Sequence, residues 1–314
     1  MSTAWIGAAC TYVLYMVVRE YQNRAAFRSA RHLMYADATY HPHVTLLLGR
    51  LAASINHVLL AAAGFRALGD GLYSQDALAP GETVLLVGGF LSPNLSVLYV
   101  HSMVRWARAA MRGKACRVFV YNPPECTYGT SYDDTHLLAR ATVSSHAERL
   151  VSVLRYHAVD VGSLHIIAHS YGTMLGGYVR RAVPCTDATI THLIDPIPAI
   201  PDAGFVARVL RGTVPFNHTV PRYGRILWVL RQHALSYIIR YPFFFQLGAQ
   251  VRRSDGIDGC IRGGGKVVAF VAAHDDLVDF SGPVSSRGHV VMVPGHIHGT
   301  MVFSHMPALR PCAG

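Results

Sequence analysis

From Glu82 onward, short apolar runs alternate with longer segments of helical character. This alternation constrains the fold most, because strands connected by helices form a parallel sheet that is covered on both faces. The apolar runs are rich in Val and Ile, as expected of strands buried on both sides. The sequence therefore predicts an α/β fold with a mostly parallel central sheet flanked by helices. The predicted strands are Thr83–Val87, Val118–Tyr121, Leu164–Ala168, Ile190–Ile194, Val267–Val271 and Val290–Val293.

Two stretches of the chain depart from this alternation. Residues 1–80 contain two long apolar segments and are predicted to form an N-terminal helical extension, which leaves residues 81–314 for the α/β domain. Residues 198 to about 262 are rich in Pro, aromatic residues and Arg, and this composition predicts an inserted helical cap. A chain of 314 residues suits one large domain with such an insertion.

The N-terminus is the most apolar part of the chain. Residues 1–18 contain no charged side chain, and residues 4–18 are nearly all apolar, which approaches the length needed to cross a bilayer. Basic residues follow this run at Arg19 and beyond, whereas a cleaved signal peptide has a basic start. We therefore predict membrane association through an uncleaved anchor with its basic flank on the cytoplasmic side. The alternative is a helix buried against the domain.

The net charge of +10 raises the question of a nucleic-acid partner. The 28 basic residues are almost all Arg and are scattered without a dense run, and no nucleic-acid-binding motif accompanies them. We therefore predict no nucleic-acid partner. The six cysteines contain no Cys-x-x-Cys pair, so the sequence supports neither a zinc knuckle nor a dithiol redox motif. No metal and no organic cofactor is predicted.

The pentapeptide Ala168-His-Ser-Tyr-Gly172 follows a predicted strand and precedes a helix-compatible run, Thr173 to Arg181. A nucleophilic serine at such a turn needs small residues two positions before and after it, because the strained backbone brings neighbouring elements close. Gly172 meets this need, and Ala168 stands where glycine is usual. Ser170 is therefore the candidate nucleophile, although serine between small residues also occurs in ordinary turns. Two histidines near this turn are expected to serve in packing: His165 and His169.

This pentapeptide resembles the nucleophile turn of the α/β-hydrolase superfamily, in the Ala-x-Ser-x-Gly variant of some small lipases. Upstream, Leu85–Phe90 resembles the first oxyanion segment of that superfamily, in which a strand ends in Gly-Gly-Phe. The resemblance implies that the backbone N–H groups of Phe90 and Tyr171 form an oxyanion hole. Two fixed donors aimed at a developing negative oxygen suit acyl transfer.

A downstream segment resembles the part of the superfamily that carries the acid. Val267–Val278 is similar to its seventh strand and acid turn, and the resemblance implies that Asp275 is the acid. The alternative acid is Asp195, which lies in an Asp-Pro turn at the end of the sixth predicted strand, because some members of the superfamily place the acid there. The physical requirement is only that a carboxylate reaches the far nitrogen of the histidine.

The last predicted strand leads to the candidate base. Val290–Thr300 resembles the eighth strand and terminal histidine of the superfamily, and His298 matches its spacing. His296 is the alternative base. The chain order Ser170, Asp275, His298 is the order that this fold requires.

These resemblances imply an acyl hydrolase in which His298 accepts the Ser170 proton, Ser170 attacks an ester carbonyl and Asp275 orients the imidazole. The predicted substrate is a small-molecule or lipid ester. Arginines beside aromatic residues in the predicted cap lead us to expect contact with an anionic lipid surface. An acyltransferase or thioesterase with the same three residues stays open, as does a catalytically silent hydrolase fold used as a membrane scaffold.

Overall fold

A computed structural model of the chain describes residues 3–30, 43–76, 81–89, 92–123, 143–183, 185–197, 264–275 and 289–303. The predicted cap at 198–262 lies outside these residues. The helices described are α1 (Thr3–Ala30), α2 (His43–Ala62), α3 (Ser92–Ala110), α4 (Val143–Tyr156) and α5 (Tyr171–Ala182), with a short 3₁₀ helix at Met301–Phe303. The strands are β1 (Arg66–Gly69), β2 (Leu72–Gln75), β3 (Glu82–Val87), β4 (Cys116–Tyr121), β5 (His165–His169), β6 (Ile190–Ile194), β7 (Lys266–Ala272) and β8 (His289–Val293).

The eight strands form one sheet in the order β1-β2-β4-β3-β5-β6-β7-β8. Strand β2 runs antiparallel to both of its neighbours, and β3 to β8 run parallel to one another. The strand order changes direction at β3, which pairs with β4 on one side and β5 on the other. In open α/β sheets such a switch point places the ligand crevice at the carboxyl ends of the strands.

The predicted fold class is confirmed. The six predicted strands correspond to β3–β8, and each predicted end lies within two residues of the observed one. The hairpin of β1 and β2 was not predicted. Its strands have four residues each, and β1 has the sequence Arg-Ala-Leu-Gly with mostly exposed side chains. A strand that is so short and so poor in β-branched residues has no hydrophobic period to detect.

Helices cover both faces of the sheet because successive strand residues point to opposite sides. On one face, Ile167 joins a buried cluster with Met103 and Trp106 of α3. Trp106 also packs edge-on against Phe270 of β7, with ring centroids 5.1 Å apart. On the other face α5 packs against β5 and β3, and α4 packs against α5. The central strands are thereby buried on both sides, as their Val and Ile content predicts.

The prediction of an N-terminal membrane anchor is wrong. In the described part of the chain, no helix combines the length and the apolar character that crossing a membrane demands. The apolar run of α1 stops at Arg19, short of the roughly 20 residues that span hydrocarbon, and the helix continues through Glu20 and Arg24, which form an ion pair at 2.8 Å. The alternative, a helix buried against the domain, is not observed either, because Val13 and Leu14 are exposed.

Candidate active site

Ser170 lies in a strained turn between β5 and α5. Its φ of 51° and ψ of −123° fall outside the regions that side chains normally allow. The Ser170 N–H donates to the carbonyl oxygen of Ile194 on β6 at 3.0 Å. The Ser170 carbonyl accepts the Thr173 N–H at 2.9 Å and the Thr173 hydroxyl at 2.6 Å. These hydrogen bonds fix a strand–turn–helix connection that carries Ser170 at the carboxyl edge of the sheet.

The small residues around Ser170 allow this turn to pack tightly. A Cβ atom on Gly172 would lie 2.4 Å from the carbonyl oxygen of Val87 and 2.6 Å from that of Gly88, so no side chain fits there. Ala168 is fully buried, and a Cβ atom on Gly176 of α5 would lie 3.4 Å from its methyl group. The methyl group of Ala168 fits at this position because the helix residue that faces it is a glycine.

The structure brings three of the predicted residues into one chain of hydrogen bonds. Ser170 Oγ lies 2.8 Å from His298 Nε2, and His298 Nδ1 lies 2.8 Å from Asp275 Oδ2. Ser170 and His298 are buried, and the Asp275 side chain is only 3% exposed. A neutral imidazole that donates its Nδ1–H to Asp275 presents Nε2 as an acceptor for the serine proton. This arrangement can raise the nucleophilicity of the Ser170 oxygen.

The two alternative residues make other contacts. His296 Nδ1 lies 3.3 Å from the Thr300 hydroxyl, and burial lowers the pKa of His296. Asp195 is fully buried after β6, and its carboxylate accepts the backbone N–H groups of Ala272 at 3.2 Å and Gly299 at 2.8 Å. His296 therefore contacts a threonine hydroxyl, and Asp195 contacts backbone N–H groups.

The predicted oxyanion hole is described in part. Tyr171 is the first residue of α5, and the N–H groups of a helix N-terminus point out of the helix toward developing negative charge. Phe90 lies outside the described residues. Gly89, which precedes it, packs closely against the nucleophile. A Cβ atom on Gly89 would lie 3.0 Å from Ser170 Cβ. The Gly89 N–H donates to the Tyr99 hydroxyl at 3.3 Å. The two donors assigned to the oxyanion hole therefore stay a prediction.

Comparison with solved structures bears on the fold. The chain matches the crystal structure of a bacterial membrane phospholipase A with a TM-score of 0.52 and 19% identity, over 82% of this chain and 88% of that one. The two share the sheet architecture that the sequence resemblance predicted. This chain has the α/β-hydrolase fold. At this identity the likeness shows the fold alone.

Two further solved structures match this α/β-hydrolase fold more loosely. One is a carboxylesterase of the archaeon Nitrososphaera gargenis, with a TM-score of 0.48 and 13% identity over 76% of this chain and 92% of that one. The other is a hydrolase from Pseudomonas aeruginosa, with a TM-score of 0.46 and 16% identity over 76% and 92%. No family model matches the sequence, and no curated protein matches it.

A second buried histidine lies beside the nucleophile of this α/β-hydrolase fold. Within the described part of the chain, neither ring nitrogen of His169 has a hydrogen-bond partner, and Nε2 lies 3.9 Å from Asp195 Oδ2, beyond hydrogen-bonding distance. The ring packs against Tyr99 at 5.4 Å and lies 6.0 Å from the His298 ring. Burial, followed by the positive charge of protonated His298, holds the pKa of His169 well below its usual range. His169 is therefore neutral.

The pKa of the Asp195 carboxyl is shifted in the opposite direction to that of His169. Burial raises the pKa of Asp195 to about 6, and the negative charge of Asp275 acts in the same direction. Protonated His298 and the N–H groups of Gly299 and Ala272 oppose this rise. Asp195 is consequently ionised at neutral pH and above and becomes protonated in mild acid.

Proposed function

We propose that the protein is a serine hydrolase that cleaves carboxylic esters through an acyl-enzyme intermediate. The observation that supports this most is the hydrogen-bonded chain Ser170–His298–Asp275, which begins at a serine held with positive φ at the carboxyl edge of the sheet. A nucleophile within reach of a base that is itself oriented by a third group is the arrangement that acyl transfer requires. The α/β-hydrolase fold alone would not support an activity.

In the first half of the proposed reaction, Ser170 Oγ attacks the ester carbonyl carbon while its proton passes to His298 Nε2. The Nδ1–H of His298 stays on the ring and donates to Asp275, whose charge stabilises the imidazolium. Collapse of the tetrahedral intermediate breaks the bond from carbon to the leaving oxygen, and His298 returns the proton to the departing alcohol. The acyl group is then bonded to Ser170.

In the second half, a water molecule takes the place of the alcohol. His298 accepts a proton from that water as its oxygen attacks the acyl carbon, and the carboxylic acid leaves when Ser170 regains its proton. The negative oxygen of both tetrahedral intermediates would be held by the N–H groups of Tyr171 and Phe90. Each such donor typically lowers the barrier by about 2.7 to 4 kcal/mol.

The acceptor of the acyl group separates the hydrolase from its nearest alternatives. An acyltransferase passes the acyl group to an alcohol other than water, and a thioesterase begins from a thioester, but both use the same acyl-enzyme. We propose water as the acceptor and an oxygen ester, including lipid-like esters, as the substrate, because hydrolysis of the acyl-enzyme needs no second binding site for an acceptor alcohol.

Ester turnover tests this proposal. The full-length protein is incubated with nitrophenyl esters from acetyl to palmitoyl and with an acyl thioester, each with and without added alcohol. Steady release of nitrophenol and free acid, without transfer to the alcohol, is expected. Preference for the thioester would indicate a thioesterase, and transfer to the alcohol would indicate an acyltransferase. The absence of turnover with every substrate would overturn the proposal.

A further inference from the structure

Asp195 is the first residue after β6 and lies beside the turn that carries His298. It has a φ of 45°, a region that Asp and Asn tolerate better than other residues with side chains, and its N–H donates to the carbonyl oxygen of Phe270 at 2.9 Å. The residue is fully buried. A buried carboxylate is costly unless hydrogen bonds compensate for its lost hydration, so its partners indicate what it is there to hold.

Both oxygens of this carboxylate accept hydrogen bonds from backbone N–H groups, and the two groups belong to different segments. Oδ1 accepts the N–H of Ala272, the last residue of β7. Oδ2 accepts the N–H of Gly299, the residue that follows His298. The Ala272 carbonyl in turn accepts the Asp275 N–H at 3.0 Å and so shapes the turn that presents Asp275.

We propose that Asp195 is a positioning residue that fixes the turn bearing Asp275 and the turn bearing His298 relative to each other, while its charge stabilises the protonated His298 ring. The proposal rests on the hydrolase function proposed above. Asp195 acts through these two turns and the electrostatic field, and Asp275 keeps the role of the acid that contacts the imidazole.

The charges around Asp195 favour this role. Among the residues that the structure describes, the titratable groups that face it are His169 from β5, Tyr99 from α3, Asp275 from the turn after β7 and His298 from the turn after β8. His169 is neutral because its ring is buried, so it does not cancel the negative charge of Asp195. His298 is the group among these four that becomes positive during the reaction, and that charge and the charge of Asp195 attract each other.

Kinetics of Asp195→Asn test the electrostatic part. The variant is expected to lower kcat about 10- to 100-fold, because a small displacement of the base is costly, and to leave KM within about twofold. The acid limb of the pH profile of kcat/KM should move to lower pH, since removing a nearby negative charge disfavours the imidazolium. Asp187→Asn, which removes an exposed carboxylate, is the matched control and should match wild type. Wild-type kcat and an unmoved acid limb in Asp195→Asn would overturn the proposal.

Amide signals in the unmodified protein test the positioning part without relying on activity, and the Asp195→Asn variant adds a second measurement. The ¹H–¹⁵N resonances of Ala272 and Gly299 should shift with a common midpoint as Asp195 titrates, and in Asp195→Asn both amides should exchange with solvent faster. Resonances of Ala272 that do not titrate with those of Gly299 would overturn the proposal. If wild type hydrolyses no ester, the proposed function fails, and these amide measurements still decide whether Asp195 holds the two turns.

Discussion

The Ser170 hydroxyl oxygen lies 2.8 Å from His298 Nε2, although 128 positions separate the two residues in the sequence. Strands β6 and β7 lie between β5 and β8 in the sheet, so the residues emerge from strands about 14 Å apart at the usual strand spacing. The turn after β8 must therefore reach back over the carboxyl ends of β7 and β6. Asp275 and Asp195 lie at those two ends, and each contacts this turn.

We expect Asp275→Asn to lower kcat by about 10⁴-fold, because an amide would hold the His298 ring in the wrong tautomer. Asp195→Asn is the same substitution in the turn after the neighbouring strand, β6, and should lower kcat much less. Steady-state kinetics of both variants on one ester provide the comparison. A larger loss in Asp195→Asn would transfer the role of the acid to the end of β6.

His298→Ala should lower kcat by at least about 10⁴-fold, since it removes the group that accepts the serine proton. His296→Ala is the matched control, because His296 lies two residues away and its ring contacts Thr300 instead. Its loss should be less than about tenfold. Similar losses in both variants would show that the choice of base between them is wrong.

Gly172→Ala should destabilise the protein by about 1 to 3 kcal/mol or more, because the added methyl group would meet the Val87 carbonyl at 2.4 Å. Gly176→Ala in the same helix is the control. Its methyl group would lie at 3.4 Å from the nearest side chains, and alanine favours a helix over glycine by about 1 kcal/mol. Thermal unfolding should show a large drop in Tm for the first variant and little change for the second. Equal drops would contradict the close approach of α5 and β3.

Asp195 should make the stability of the fold depend on pH. Because burial raises its pKa from 3.8 to about 6, the folded state holds this proton more tightly than the unfolded state. The contribution of Asp195 to stability therefore falls as the pH rises from about 4 to 6, by about 3 kcal/mol, and is constant above that range.

This dependence is measured as the difference in Tm between Asp195→Asn and wild type. The difference should increase in favour of the variant as the pH rises from about 4 to 6.5 and then level off, because the amide does not ionise. Asp187→Asn controls for the loss of a surface charge. A difference that stays constant across this range would contradict a raised pKa for Asp195.

Much of the fold, and the grouping of three residues of the candidate site, was predictable because the signals are local. Strands β3 to β8 are apolar runs of five to seven residues bounded by turns. Ser170, Asp275 and His298 each lie at the end of such a run, in a short motif that can be recognised without knowing the rest of the structure. The distances between them follow from the parallel sheet, which brings the carboxyl ends of all its central strands to one edge.

The contacts of Asp195 could not be predicted in the same way. Its two partners are backbone N–H groups 77 and 104 positions away, and nearly every residue has such a group, so the sequence contains no signal for them. The N-terminal prediction failed for a different reason. The prediction rested on the uncharged, apolar run before Arg19. A run whose helix is somewhat shorter than the thickness of a bilayer does not distinguish a membrane span from an apolar helix that continues into charged residues.

Labelling with a fluorophosphonate probe tests the nucleophile most directly, because the probe forms a covalent bond with an activated serine oxygen. The full-length protein is labelled and the modified peptide is mapped by mass spectrometry. We expect one label on Ser170, full labelling of Ser163→Ala, which alters an exposed serine in the loop before β5, and none of Ser170→Ala, whose Tm should stay close to wild type. Wild-type protein that is folded but unlabelled, or Ser170→Ala labelled at the wild-type level, would contradict the assignment of Ser170 as the nucleophile.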